Sequence, residues 1–472
     1  MDSPLFIGVE QGRMNAVKLC LIILCLATPC AVRALGPHEL VIVVNKESES
    51  SRTIAQDYAE LRGVPRQNII YISLAGDDTP SDTMTREQFT ESIWKPVTRT
   101  IRDRHLEHAL AWAYSDGFPI RIETGQHDCS LLGLTFTRNR DPAPEEIRGG
   151  TCRSSLFAGP NMPGQSALQS QSFDRLAALH GPDMPLPSMI LGATGPRANT
   201  IDEISLYLAN GVRSDHTAPS GTIFFVTSDD VRSTARAWQF AQARDDLAAL
   251  GVRSEITPDF PEGRGDVLGI MMGTERLQHV DRNAYLPGCL SDHLTSWAGA
   301  FDHAGQSKIS EWLRAGMAGS AGTVVEPYAI WMKFPNAWLY VHYASGCTAI
   351  ESYYQSISCP LQMLIIGDPL AQPWAPRAKV ILGNVVAADD ARGYEVQAIV
   401  QSSHKGSYRR FMFLVDGRAV TGIERRSVLT FQTAKMKNGS HTLRAVAYRT
   451  GPVRSQAFDE RTFEVRNGRI VE

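Results

Sequence analysis

At 472 residues the chain is too long for one ordinary domain, so two or three folding units are expected. Its 43% hydrophobic and 21% charged residues sit near globular averages and argue against extensive disorder. A formal net charge of −3 gives no electrostatic ground for nucleic acid as a partner, and none of the twelve His residues has zinc-finger or HExxH spacing.

The N-terminus reads as an export signal. LCLIILCLATPCAV, residues 19–32, is an apolar run between Lys18 and Arg33, too short to span a bilayer comfortably. With Met14 and Lys18 ahead of it and Ala34 behind, residues 1–34 are expected to be a signal peptide, Met14 being an alternative start. Pro29 and Ala27 beside Cys30 oppose a lipoprotein reading. No later run reads as a membrane helix, so a secreted, periplasmic or extracellular chain is expected. Processing would remove Cys20, Cys25 and Cys30. In an oxidising compartment the sequence-local pairings of the remainder are Cys129–Cys152 and Cys347–Cys359, leaving Cys289 as the odd thiol.

HELVIVVN is a first buried strand, followed by a helix with Ser50 or Ser51 as N-cap and Gly63 as its stop. NIIYISL is a second strand. Thr85 and Gln88 stand at capping-box spacing ahead of a helix that Pro96 should kink. ALAWAYSDGFPIRI is a third strand. Residues 124–186 are rich in Gly, Pro, Ser and Asn and read as a stapled irregular insertion, with one short helix around Ser172–Leu179. SMILGATG and GTIFFVTS are further strands, with helices over Asn199–Asn210 and Asp230–Leu250. DVLGIMMG and MLIIGDPLAQPW are the last two apolar runs. Between them, PGCLSDHLTS reads as a loop and SKISEWLRAGMAG as a helix. Strands alternating with helices predict a doubly wound, mainly parallel α/β sheet over residues 38–376. From Lys379 the helical period disappears. Short alternating runs with Asp416-Gly417 and Asn438-Gly439 turns predict a β-sandwich of immunoglobulin or fibronectin type over 377–472.

Chemistry, if present, is expected near the carboxyl ends of the parallel strands, between Asp266 and Trp374. Cys289, Asp292 and His293 supply a thiol, a carboxylate and an imidazole within five positions, the types a cysteine nucleophile needs. Against this, Cys289 also reads as a small buried hydrophobe, and Asp292 as the cap of a helix starting at His293. His279 and His303 are alternative bases. Glu326 and Asp368 each end an apolar run and are candidate substrate-binding carboxylates, with Lys333 near Glu326. Asp368 before Pro369 also reads as turn chemistry. Trp331, Phe334, Trp338, Tyr340, Tyr343, Tyr353 and Tyr354 suggest either a cleft or, by their helical spacing, core. No nucleotide motif, G-x-S-x-G elbow or EF-hand spacing is present, so no cofactor and no metal site are expected.

NKESESSRTIAQDYAELRGVPRQNII, LPGCLSDHLTSWAG, AGMAGSAGTVVEPY, KFPNAW and LIIGDPLAQPW together resemble an uncharacterised family of secreted bacterial proteins found in genomes with PEP-CTERM/exosortase sorting. More distantly, the layout is similar to the caspase–gingipain class of cysteine peptidases, which carry His-Gly after one strand, Cys after the next, and often an immunoglobulin-like domain behind. Met272-Gly273 stands where that resemblance implies His-Gly. The expected function is a non-catalytic binding or assembly role at the cell envelope, with a protein or glycan ligand. The alternative is a peptidase-like hydrolase using Cys289, with His293 or His279 as base.

Overall fold

The computed structural model describes residues 34–74, 82–125, 127–388, 393–402 and 407–471. The expected signal segment up to Arg33, with its three cysteines, lies outside the described residues.

The first half of the chain builds strands β1 (Leu40–Asn45), β2 (Ile69–Ile72), β3 (Ala111–Tyr114), β4 (Ser188–Ile190), β5 (Thr222–Val226) and β6 (Arg253–Thr257). The stretch from Val267 adds β7 (Val267–Gly273), β8 (Tyr285–Leu294), β9 (Gly319–Thr323) and β10 (Met363–Gly367). They form one ten-stranded sheet in the order β2-β1-β3-β4-β10-β9-β8-β7-β5-β6. Pairing is parallel from β2 to β4 and from β9 to β6, whereas β10 runs antiparallel to β9. Helices on both faces explain why the inner strands are continuous apolar runs: Leu40 to Val44 are fully buried.

Local chemistry sets the helix ends. Helix α1 (Glu49–Arg62) starts from Ser48, whose hydroxyl accepts from Ser51 N at 3.1 Å, two or three residues earlier than the sequence suggests. It stops where Gly63 turns left-handed at φ 66°. The Thr85–Gln88 capping box forms as expected. Pro96 does not break its helix. Helical backbone is continuous into α2 (Lys95–Asp103), and the widened π-type turns over Phe89–Trp94 directly precede Pro96, loosening the ladder where its missing N–H falls.

The insertion holds more structure than its composition suggests. It contains α3 (Leu131–Phe136), α4 (Pro144–Gly149) and α5 (Phe173–His180), and α3 is buried throughout. Helix α6 (Ile201–Ser214) packs on the sheet, and the helix expected over 230–250 is split into α7 (Val231–Ala237) and α8 (Phe240–Ala249).

The largest departure is at β8. The expected loop over 287–296 is instead the second half of a central strand, buried from Gly288 to Leu294. Pro287-Gly288 and the polar triplet after Leu290 look like loop material. They are tolerated because each polar side chain finds a partner across the fold.

Beyond Pro376 the described residues form strands joined by turns and loops. One antiparallel sheet joins segments 378–382, 386–387, 394–402 and 428–431, and a second joins 408–415, 418–419, 439–449, 456–466 and 469–471. Leu382 and Val396 from one meet Phe413, Leu443 and Val465 from the other in a single apolar core. No helix among the described residues is long and apolar enough to cross a membrane.

Candidate functional site

The predicted thiol site does not assemble. Cys289 and His293 point to the same face of β8 but stand four residues apart, roughly 13 Å at the usual rise of a strand. Cys289 lies fully buried among Phe224, Val226, Ile270, Trp312 and Met317, and burial pushes its thiol well above the ordinary range. A thiol held up in this way is a poor nucleophile. In the folded protein, Cys289 is expected to stay unlabelled by iodoacetamide at pH 7–9 and to react fully once the chain is denatured. Rapid labelling of the native state would overturn that assignment.

His293 has no free nitrogen with which to act as a base. Trp312 Nε1, which can only donate, hydrogen-bonds His293 Nδ1 at 2.9 Å. The proton therefore sits on Nε2, 3.2 Å from the Ser307 carbonyl oxygen it donates to. Burial lowers the imidazole pKa to about 4, so the ring is neutral in neutral solution. Asp292 points the other way and forms a buried ion pair with Arg236 of α7. Burial raises its carboxyl and Arg236 opposes that rise. No helix starts at His293. The other two bases have other neighbours: the half-exposed His279 lies 3.7 Å from Glu262, and His303 stacks on Trp297 at 4.5 Å.

The two predicted binding carboxylates separate as well. Asp368 is fully buried at the end of β10, where it is clamped by the Arg62 guanidinium and accepts from Tyr58 Oη at 2.8 Å. Arg62 also pairs with Asp215, which closes a buried network under α1 and α6. The turn chemistry read from Asp368-Pro369 is present too, since Leu370 N donates to Asp368 Oδ1 at 3.0 Å. Glu326 is exposed and accepts from Tyr328 N at 2.8 Å. Lys333 directs its buried ammonium to the Arg148 carbonyl and to Gln362 Oε1, each at 2.9 Å, and burial lowers its pKa to about 8. Phe334, Trp338, Tyr340, Tyr343, Tyr353 and Tyr354 are core residues.

What the stretch does build is a cavity of about 400 Å³. Three loops line it, each following the carboxyl end of a strand: Pro196–Arg197 after β4, Arg276–Leu277 after β7, and Ala304–Lys308 after β8. Helix α9 (Ile309–Arg314) closes it. Arg197, Arg276, Lys308 and Arg314 surround the space, against the single carboxylate of Glu311. Lys308 is anchored by donating to the Trp297 carbonyl at 2.7 Å, and burial lowers its pKa to about 8. Arg197 is fixed by the Phe301 carbonyl at 3.1 Å, and Arg314 by Glu203 at 3.1 Å. Glu311 is turned inward, accepting from Ser307 Oγ and Lys308 N, each at 3.1 Å. Held cations around a cavity favour an anionic group.

A larger cavity, about 670 Å³, lies where Ala167–Ser170 and Trp338 face the 449–453 hairpin of the C-terminal unit. Part of its polar lining is already engaged. Ser170 Oγ and His342 Nδ1 hydrogen-bond at 2.8 Å, and Asp246 accepts from Trp338 Nε1 at 2.9 Å. Among the described residues no group of three His, Cys, Asp or Glu side chains is placed to hold a metal ion. Compared with protein-family models and with curated proteins, the chain matches none.

Proposed function

We propose that the protein is a secreted, non-catalytic binding protein of the cell envelope, and that the cleft beyond β4, β7 and β8 takes an anionic glycan. Under this reading the α/β unit is of caspase–gingipain type without a thiol nucleophile, and the C-terminal unit is of immunoglobulin type. The observation that carries the proposal is the convergence of four basic side chains on one cavity at the carboxyl edge of the sheet. The cysteine-hydrolase alternative loses its support, because both nitrogens of His293 are committed and Cys289 is buried.

Calorimetric titration with uronic-acid oligosaccharides tests the reading. Binding should weaken with added salt, and should fall at least about tenfold in the double variant Arg197→Ala/Arg276→Ala, as expected for losing two charge-assisted contacts. Equal binding of a neutral glucan, or binding indifferent to the double variant, would refute it. Preference for an acidic peptide would move the ligand to another class.

A further inference from the structure

All five cysteines between Cys129 and Cys359 carry free thiols in this structure, yet they are not dispersed. Cys129, Cys359, Ile147 and Leu361 share one buried cluster, and the half-buried Cys152 packs against it. Cys347 lies elsewhere, with Ala34 and Val453, where its thiol donates to the Gln171 carbonyl at 3.7 Å. The fold therefore separates Cys347 from Cys359, the partner that sequence proximity suggests, and brings Cys152 to Cys359 from far along the chain.

Backbone contacts hold that approach in place. Ser154 N donates to the Ser358 carbonyl at 2.9 Å, so the insertion runs beside the segment entering β10, with the two cysteines flanking the bond. Ala158 N donates to the Gln355 carbonyl at 2.9 Å, and Cys359 N to the Met332 carbonyl at 2.7 Å. Lys333 ties the other side of the insertion through its bond to the Arg148 carbonyl. The two thiols thus meet on segments that cannot drift apart without breaking main-chain hydrogen bonds.

We infer that Cys152 and Cys359 are the site of an intramolecular disulfide that staples the insertion to the segment entering β10. The two thiols have different roles in forming it. Cys152 is the more accessible and meets a disulfide donor such as oxidised glutathione first. It loses its proton, and its thiolate displaces one glutathione thiolate to give a mixed disulfide. Cys359 then loses its proton, and its thiolate attacks the Cys152 sulfur and releases the second glutathione. Two protein thiols are oxidised by two electrons, and the oxidised glutathione leaves as two thiols. Once Cys152 is a mixed disulfide it has no S–H left to donate, and the nearby Lys333 ammonium then favours the Cys359 thiolate for the second attack. Burial pushes Cys129 up to about 12, which leaves it the bystander of the cluster.

Non-reducing peptide mapping of the full chain after oxidation with glutathione disulfide decides the matter. Trypsin releases Cys152 in a short peptide ending at Arg153, and chymotrypsin cuts at Tyr353 and Tyr354, between Cys347 and Cys359. A Cys152–Cys359 cross-linked peptide is expected, kept in Cys129→Ser and lost in Cys359→Ala. Finding Cys129–Cys152 or Cys347–Cys359 instead, or no cross-link, overturns the inference. Since the readout is a covalent linkage, its failure is distinct from failure of the anionic-ligand reading.

Discussion

Asp368→Ala is expected to destabilise the protein by about 3–5 kcal/mol, the usual cost of leaving one member of a buried ion pair uncompensated. Arg62, the last residue of α1, is fully buried and faces two carboxylates, Asp215 and Asp368. Removing Asp368 strips the guanidinium of one of them and breaks the bonds that Tyr58 Oη and Leu370 N make to its carboxylate at 2.8 and 3.0 Å. Gly211 offers no side chain to fill the space, since even a Cβ there would lie 2.2 Å from Asp368 Oδ2. Asp368→Asn keeps the shape and one acceptor and should lose less. Denaturant midpoints of the two variants measure this, and a loss below about 1 kcal/mol for the alanine variant would mean that the network contributes little.

The second large effect depends on pH and is centred on Glu39. This carboxyl is buried where the α/β unit meets the C-terminal strands, accepting from Gly36 N at 2.9 Å and Gln456 Nε2 at 2.7 Å. Burial, followed by the nearby Asp174 carboxylate, raises its pKa to about 8. The other charged or titratable groups of this seam include His38, His108, Glu351, Arg444, Tyr448 and Arg454. A carboxyl whose folded pKa lies above its unfolded one binds its proton more tightly in the folded state. Its stabilising contribution is complete below pH about 4.5 and is lost as pH rises through 8. The loss is on the order of 3–5 kcal/mol if the full shift is realised. His38, lowered by burial, acts in the opposite sense below its unfolded value, so the comparison must be differential. The stability of the native chain minus that of Glu39→Gln should fall between pH 5 and 8.5. A difference independent of pH would refute the assignment.

The alternation of strands and helices was legible because parallel strands buried on both faces must be written as apolar runs such as LVIVV and LGIMM. The edge strand β6, Arg-Ser-Glu-Ile-Thr, was not, because its exposed positions carry polar residues. Strand β8 failed for a different reason. Ser291, Asp292 and His293 signal a loop until Met317, Arg236, Trp312 and Ser307 are known to face them, and all four reach them from other helices or loops. Local sequence carries no trace of such partners. The same holds for the cationic cleft, whose members Arg197, Arg276, Lys308 and Arg314 share no spacing and meet only where three loops and helix α9 converge. For Asp368 the turn was readable from its neighbours, but the clamp by Arg62 was not, since 306 positions separate them.

The seam between the two units also bears on how load travels through the molecule. Ala34 sits between both: its N–H donates to Gln372 at 2.8 Å and its carbonyl accepts from Gln456 at 2.7 Å. Arg444 reaches the Gly63 carbonyl at 2.8 Å, Arg454 reaches Asp174 at 2.7 Å, and His38 meets Tyr448 at 3.1 Å. Although the sequence changes texture at Pro373–Pro376, that point is not a hinge. Tension on the C-terminal strands would pass into α1, α5 and the lead-in to β1 at once, in shear across several bonds rather than by peeling through a linker. Anchored to a surface at one end and to a ligand at the other, such a chain would behave as a stiff strut.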